Sequence, residues 1–119
     1  MDTQLGVIEA RFADIIWEHA PISSAELVRR AQEVLGWKKS TTYTVLKRLC
    51  DKGLFQNDGG TVSVAVTKAQ YCALQSQRFV EDTFHGSLPA FLAAFTSGKK
   101  LTEQEIAQLR QMIAEHEEK

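Results

Sequence analysis

A mainly α chain with one small β-hairpin is the fold class this sequence predicts, and three observations carry it. Apolar residues recur at helical spacing on both sides of one short interruption. Within that interruption, Val62, Val64 and Val66 alternate with period two after the turn signal Asp58-Gly59-Gly60. Serine and threonine caps with a glutamate three residues on mark two of the helix starts.

The first helix is expected from about Leu5 to His19, with Leu5, Ile8, Phe12, Ile15 and Ile16 as its apolar points and Pro21 as its stop. The second opens at Ile22-Ser23-Ser24-Ala25-Glu26-Leu27. There Ser23 is the predicted N-cap, Glu26 closes a capping box, and Ile22 with Leu27 forms a hydrophobic staple. It runs to about Leu35, and Gly36 ends it. The third helix is predicted from Ser40 as N-cap to a C-terminal stop at Gly53. It has two unlike faces. Thr42, Val45, Leu46 and Leu49 stand at i, i+3, i+4 and i+7, which makes one apolar stripe. Ser40, Thr41, Tyr43, Thr44, Lys47 and Arg48 occupy the other side, and hydroxyls and cations suit phosphate oxygens and base edges.

Leu54–Asn57 and Thr61–Val66 then read as the two strands of a hairpin. Three helices and a hairpin make a winged helix-turn-helix domain, residues 1–67. Residues 68–119 return to helical spacing. One helix is predicted from Lys68 to about Phe84 and is interrupted at Gly86. A short one is capped by Ser87 with Pro89 in its first turn, and a last one is capped by Thr102 with Glu105 closing the box. These helices have too little mass for a core of their own. A helical dimerisation domain is the expectation, with Tyr71, Leu74, Phe84, Leu88, Phe91, Leu92, Phe95, Ile106, Leu109 and Ile113 as its contact residues.

Apolar residues make up 44% of the 119, so a packed core is within reach. The net charge of -1 removes any global basic field, so nucleic-acid binding has to come from local clustering. Such a cluster exists: Gly36 to Gly53 holds Lys38, Lys39, Lys47, Arg48 and Lys52 against Asp51 alone. Ala107–Lys119 is acidic by contrast, with Glu115, Glu117 and Glu118 against Arg110 and Lys119. Two cysteines, Cys50 and Cys72, are expected as buried free thiols. Met1–Ala10 lacks the pattern of a signal peptide and no apolar run approaches bilayer length, so a reduced, cytoplasmic protein is expected. His19, His85 and His116 lie far apart, and neither metal-ligand spacing, a nucleophile elbow nor a phosphate-binding glycine loop is present. No enzyme, cofactor or metal is expected.

Ile15-Ile16-Trp17, Ile22–Leu27, the run Ser40–Leu49 with Lys52-Gly53-Leu54, and Leu101–Ile106 with Leu109-Arg110 together resemble the penicillinase-repressor family. That family includes repressors of β-lactamase and methicillin-resistance operons and copper-responsive repressors. The resemblance implies a homodimeric transcriptional repressor bound to a palindromic double-stranded DNA operator. Its implied DNA contacts combine with the residue reading. Tyr43, Thr44 and Lys47 are candidates for base edges. Lys38, Lys39, Ser40, Thr41 and Arg48 are candidates for phosphates, together with Ser23 and Ser24, and Gly60 and Thr61 form the wing tip beside Gly59. Copper-responsive members carry a cysteine-rich motif near the C-terminus, and Met112–Lys119 has no cysteine. The β-lactamase-type members are cleaved between asparagine and phenylalanine, with a membrane sensor protease as partner. The similar position here is Ala94-Phe95, a candidate proteolytic site with alanine in place of asparagine, and Phe95 also fits a core role on the stripe with Phe91 and Leu92. Two alternatives stay open: a winged-helix protein–protein adaptor, motivated by the near-neutral charge, and a thiol- or metal-responsive regulator using Cys50 or Cys72.

Overall fold

The computed structural model describes residues 4–118; Met1, at the start of the segment tested for a signal peptide, and Lys119, in the tail, lie outside the described residues. The element order is α1 (Val7–His19), β1 (Ile22–Ser23), α2 (Ser24–Leu35), α3 (Lys39–Asp51), β2 (Phe55–Asp58), β3 (Thr61–Val64), α4 (Lys68–Phe84), α5 (Leu88–Gly98) and α6 (Glu103–Glu117). The chain divides into two compact units, one through Ser76 and one from Gln77, so the division falls inside α4.

The first unit is a winged helix. Phe12, Ile16, Leu27, Leu46, Leu49, Leu54, Phe55 and Val62 are almost wholly buried, and with Ile22, which is 6% exposed, they come from every element from α1 to β3. The stripe predicted on α3 is the buried stripe: Thr42, Val45, Leu46 and Leu49 all face this core. Thr42 tolerates burial because its hydroxyl donates to the Lys38 carbonyl at 3.2 Å. Trp17 packs on Phe55 at 5.3 Å and on Tyr71 at 5.5 Å between ring centres, and its indole N–H donates to the Val66 carbonyl at 3.0 Å. Lys68 pairs with Asp14 at 2.9 Å. The first turns of α4 therefore pack with this unit. Tyr71, expected at a dimer contact, is held here, and its hydroxyl also accepts from the Leu5 N–H at 3.3 Å.

Three local expectations need correction. Helix α3 starts one residue before Ser40, with Lys38 at the N-cap and no side-chain cap bond, so Ser40 is not a cap. Its carbonyl instead accepts the Thr44 hydroxyl at 2.9 Å. Strand β3 ends at Val64 rather than Val66. The N–H groups of Ala65 and Val66 both turn to the Leu54 carbonyl at 3.0 Å, which breaks the alternation: Val62 is buried and Val64 exposed. Cys72 is exposed, one residue on from the inward-facing Tyr71, while Cys50 is half-buried.

Ile22–Ser23 is an additional strand, too short to show a period. It pairs antiparallel with β3, which gives a three-stranded sheet of order β1-β3-β2 with Ile22 opposite Val62 and Ser23 opposite Thr61. β2 and β3 pair from Phe55–Val64 to Asp58–Thr61 around Gly59 and Gly60, both at positive φ (60° and 93°) as a two-residue hairpin turn requires.

The second unit is helical throughout. The predicted caps form: Ser87 accepts from the Ala90 N–H, and Thr102 and Glu105 make a reciprocal capping box at 3.0 and 2.9 Å. Phe79, Phe84, Phe91 and Phe95 form a chain of ring contacts at 5.6 to 6.2 Å. A groove of about 270 Å³ between α5 and α6 is lined by Phe91, Leu92, Phe95, Leu101, Leu109 and Met112, with Glu105 and Gln108. Among the described residues of this unit none is buried. Leu88 is 56% exposed, Ile113 59% and Phe95 42%, so Phe95 is not a core residue within one chain. No helix among the described residues is long and apolar enough to cross a membrane.

Candidate nucleic-acid interface

The residues read as DNA contacts come from three segments of the first unit, and backbone pairing draws those segments together. The Ser24 N–H donates to the Gly60 carbonyl at 2.8 Å, and Ser23 lies opposite Thr61 in the sheet, so the wing tip abuts the start of α2. The Tyr43 hydroxyl of α3 donates to Ser24 Oγ at 3.1 Å. Ser23, Ser24, Tyr43, Gly60 and Thr61 are thereby one cluster. Ser23 Oγ also accepts from the Glu26 N–H at 3.1 Å. In both serines the oxygen serves as acceptor, which leaves the hydroxyl hydrogen to donate elsewhere. The first backbone N–H of α2 is already committed to the wing, so the serines offer side chains rather than an open helix end.

From Tyr43 the surface continues along α3. At about 100° per residue, Tyr43, Lys47, Ser40, Thr44, Arg48 and Thr41 fall within roughly half of the circumference, opposite the buried stripe. Ser40, Thr41, Thr44, Lys47 and Arg48 are all exposed. Lys38 and Lys39 stand at the helix start, also exposed, and Lys39 Nζ lies 6.0 Å from the centre of the Tyr43 ring.

The cations of α3 are not equally free. Lys47 reaches Asp51 at 3.3 Å, an i,i+4 pair legible in the spacing. Arg48 Nη1 donates to Glu9 Oε2 at 3.2 Å, and Lys52 Nζ donates to the Gln4 carbonyl at 2.8 Å while standing 3.9 Å from Glu9. Glu9 is the participant that sequence reasoning missed: it is 39 positions from Arg48, and no periodic signal links them. The Gly6 N–H that its carboxylate accepts, then Arg48 and Lys52, hold Glu9 below the ordinary glutamate range.

The remaining chemistry is sparse. Burial, with Asp51 nearby, pushes the Cys50 thiol up, the opposite of what a reactive cysteine needs. Among the described residues no three histidine, cysteine or acidic side chains gather in a way that holds a metal ion. Ala94 and Phe95 lie within α5, in the other unit.

Comparison with known proteins matches residues 5–115 to the model of the penicillinase repressor family. The penicillinase repressor of Bacillus licheniformis is 27% identical over 117 residues, which are 95% of this chain and 91% of that protein. A solution structure of the monomeric form of the Bacillus licheniformis protein BlaI, in complex with the blaP half-operator, aligns with 24% identity and a TM-score of 0.49, over 57% of this chain and 88% of the other.

Proposed function

The chain belongs to the penicillinase repressor family, whose members are transcriptional regulators and not enzymes, and on that premise we propose that it is a homodimeric, cytoplasmic DNA-binding repressor that reads a palindromic operator with α3. The observation that carries the reading is the continuous surface running from Ser23, Ser24, Gly60 and Thr61 through Tyr43 to Thr44 and Lys47. It presents hydroxyl donors and cations on a helix whose opposite side is locked in a core, as insertion into a major groove requires. Tyr43, Thr44 and Lys47 take base edges in this reading, and Lys38, Lys39, Ser40, Thr41, Arg48, Ser23 and Ser24 take phosphates. The Lys47–Asp51 pair is solvent-exposed and so contributes little, which leaves Lys47 available to a base.

Dimerisation through residues 77–118 is supported by their exposed apolar side chains: Leu88, Phe95, Ile106 and Ile113 are 36% to 59% exposed within one chain. Two copies of α3 set about one DNA turn apart then read two half-sites. Phe95 serves that packing in our reading. Cleavage at Ala94–Phe95 by a membrane sensor protease is the alternative role for the same segment, with alanine in place of asparagine.

Selection of bound sequences from a random pool, followed by titration of the selected duplex against salt, tests the reading. A palindromic motif is expected. Six phosphate contacts per dimer give a log–log salt slope of about −5. Recovery of no motif, with no salt-dependent binding, returns the protein to the adaptor reading.

A further inference from the structure

Glu9 lies on α1, outside every segment assigned to DNA contact, yet its carboxylate faces one cation of the recognition surface, Arg48, and Lys52 just past the end of α3. Arg48 is held at 3.2 Å through one guanidinium nitrogen, and Lys52 stands at 3.9 Å. The Glu9 side chain is 20% exposed and is anchored by the Gly6 N–H at 3.2 Å, whereas the Arg48 side chain is 54% exposed. The acid is fixed and the cation is free to leave. At the other end of α3, Lys38 and Lys39 have no acidic partner among the described residues.

Resting on the DNA-binding reading above, we infer that Glu9 is an affinity-setting residue, an intramolecular competitor for the DNA phosphate that Arg48 would otherwise hold. A carboxylate and a phosphate oxygen are equivalent acceptors for one guanidinium edge. Arg48 therefore exchanges one for the other on binding, and the net gain is smaller than for an unpaired arginine. Because the exchange involves only backbone phosphate, it weakens binding to every DNA sequence by one common factor and leaves the base preference untouched. The electrostatic reach of α3 is then concentrated at Lys38 and Lys39.

The test measures full-length protein against two probes, a random-sequence duplex and the duplex selected by the wild type, over a range of salt. Glu9→Gln keeps the side-chain length and an acceptor for the Gly6 N–H. It should tighten both complexes by roughly 1.5- to fivefold per chain, the range of an exposed ion pair, with a salt slope close to that of the wild type, because Arg48 meets the same phosphate in both proteins. Glu9→Asp keeps the charge and shortens the reach, so it should give part of the gain; none from Glu9→Asp would mean that overall charge, and not this contact, sets the affinity. In an Arg48→Ala background most of the Glu9→Gln gain should vanish. A thermal unfolding curve for each variant separates lost folding from lost affinity. Unchanged or weaker binding by a folded Glu9→Gln protein overturns the inference, as does a gain that survives Arg48→Ala. A wild type that binds neither duplex sinks the repressor reading itself, and this inference with it.

Discussion

The two compact units use apolar residues in opposite ways. Among the described residues through Ser76, thirteen hydrophobic ones are buried, drawn from helices, strands and loops. From Gln77 onward four phenylalanines and the leucines and isoleucines of three helices leave none buried among the described residues. The contrast does not come from composition. α5 has Leu88, Phe91, Leu92 and Phe95 in eight consecutive positions, and Leu88 and Phe95 remain exposed. What differs is closure: the first unit folds a sheet and three helices onto one core, whereas the helices of the second meet through ring contacts and the α5–α6 groove and leave their apolar sides partly open. Stability in the first unit is therefore intrinsic, and under the homodimer proposal that of the second depends on protein concentration.

That contrast can be broken at its strongest point first. Phe12→Ala should destabilise the first unit by about 3–5 kcal/mol, because Phe12 is wholly buried and also stacks on Trp37 at 5.0 Å. Denaturant unfolding at two protein concentrations should show the same loss at both. Phe95→Asp should cost about 1.5–3 kcal/mol per copy in association, the burial energy of one large apolar side chain. Sedimentation equilibrium should then move toward monomer while the unfolding of the first unit stays put. A wild type that sediments as a monomer at every concentration would end the homodimer proposal. Smallest is a matched pair of cap deletions, Ser23→Ala and Thr102→Ala, each worth about 1 kcal/mol. The first should register at any concentration and the second only as weakened association.

Much of this was legible in the sequence where one residue's role follows from its near neighbours. The limits of α4, the Thr102–Glu105 capping box and the buried stripe of α3 all depend on spacings of three or four residues, and each forms as read. The start of α3 was misplaced because Ser40 has the right chemistry for a cap, but the backbone is already helical at Lys39 and the hydrogen bonds of that turn go to the Lys38 and Ser40 carbonyls. Ile22–Ser23 escaped notice as a strand because two residues carry no alternation; only their pairing with Val62 and Thr61 makes them one. In the candidate site the exposed residues of α3 could be named from the sequence, but their partners could not. Tyr43 to Ser24 spans 19 positions and Arg48 to Glu9 spans 39, and such contacts exist only once the core has placed α1, α2 and α3 around it.

The bond from the Ser24 amide to the Gly60 carbonyl has a consequence for the thermodynamics of recognition. A hairpin tip of two glycines would ordinarily be the loosest point of the molecule, and freezing it against a ligand would take about 1–2 kcal/mol of conformational entropy per residue. Here the tip is fastened to the first turn of α2 and, through Ser24 and Tyr43, to α3 before any ligand arrives. That ordering is completed during folding, so in the proposed DNA complex the hairpin and the helix dock as one preorganised body.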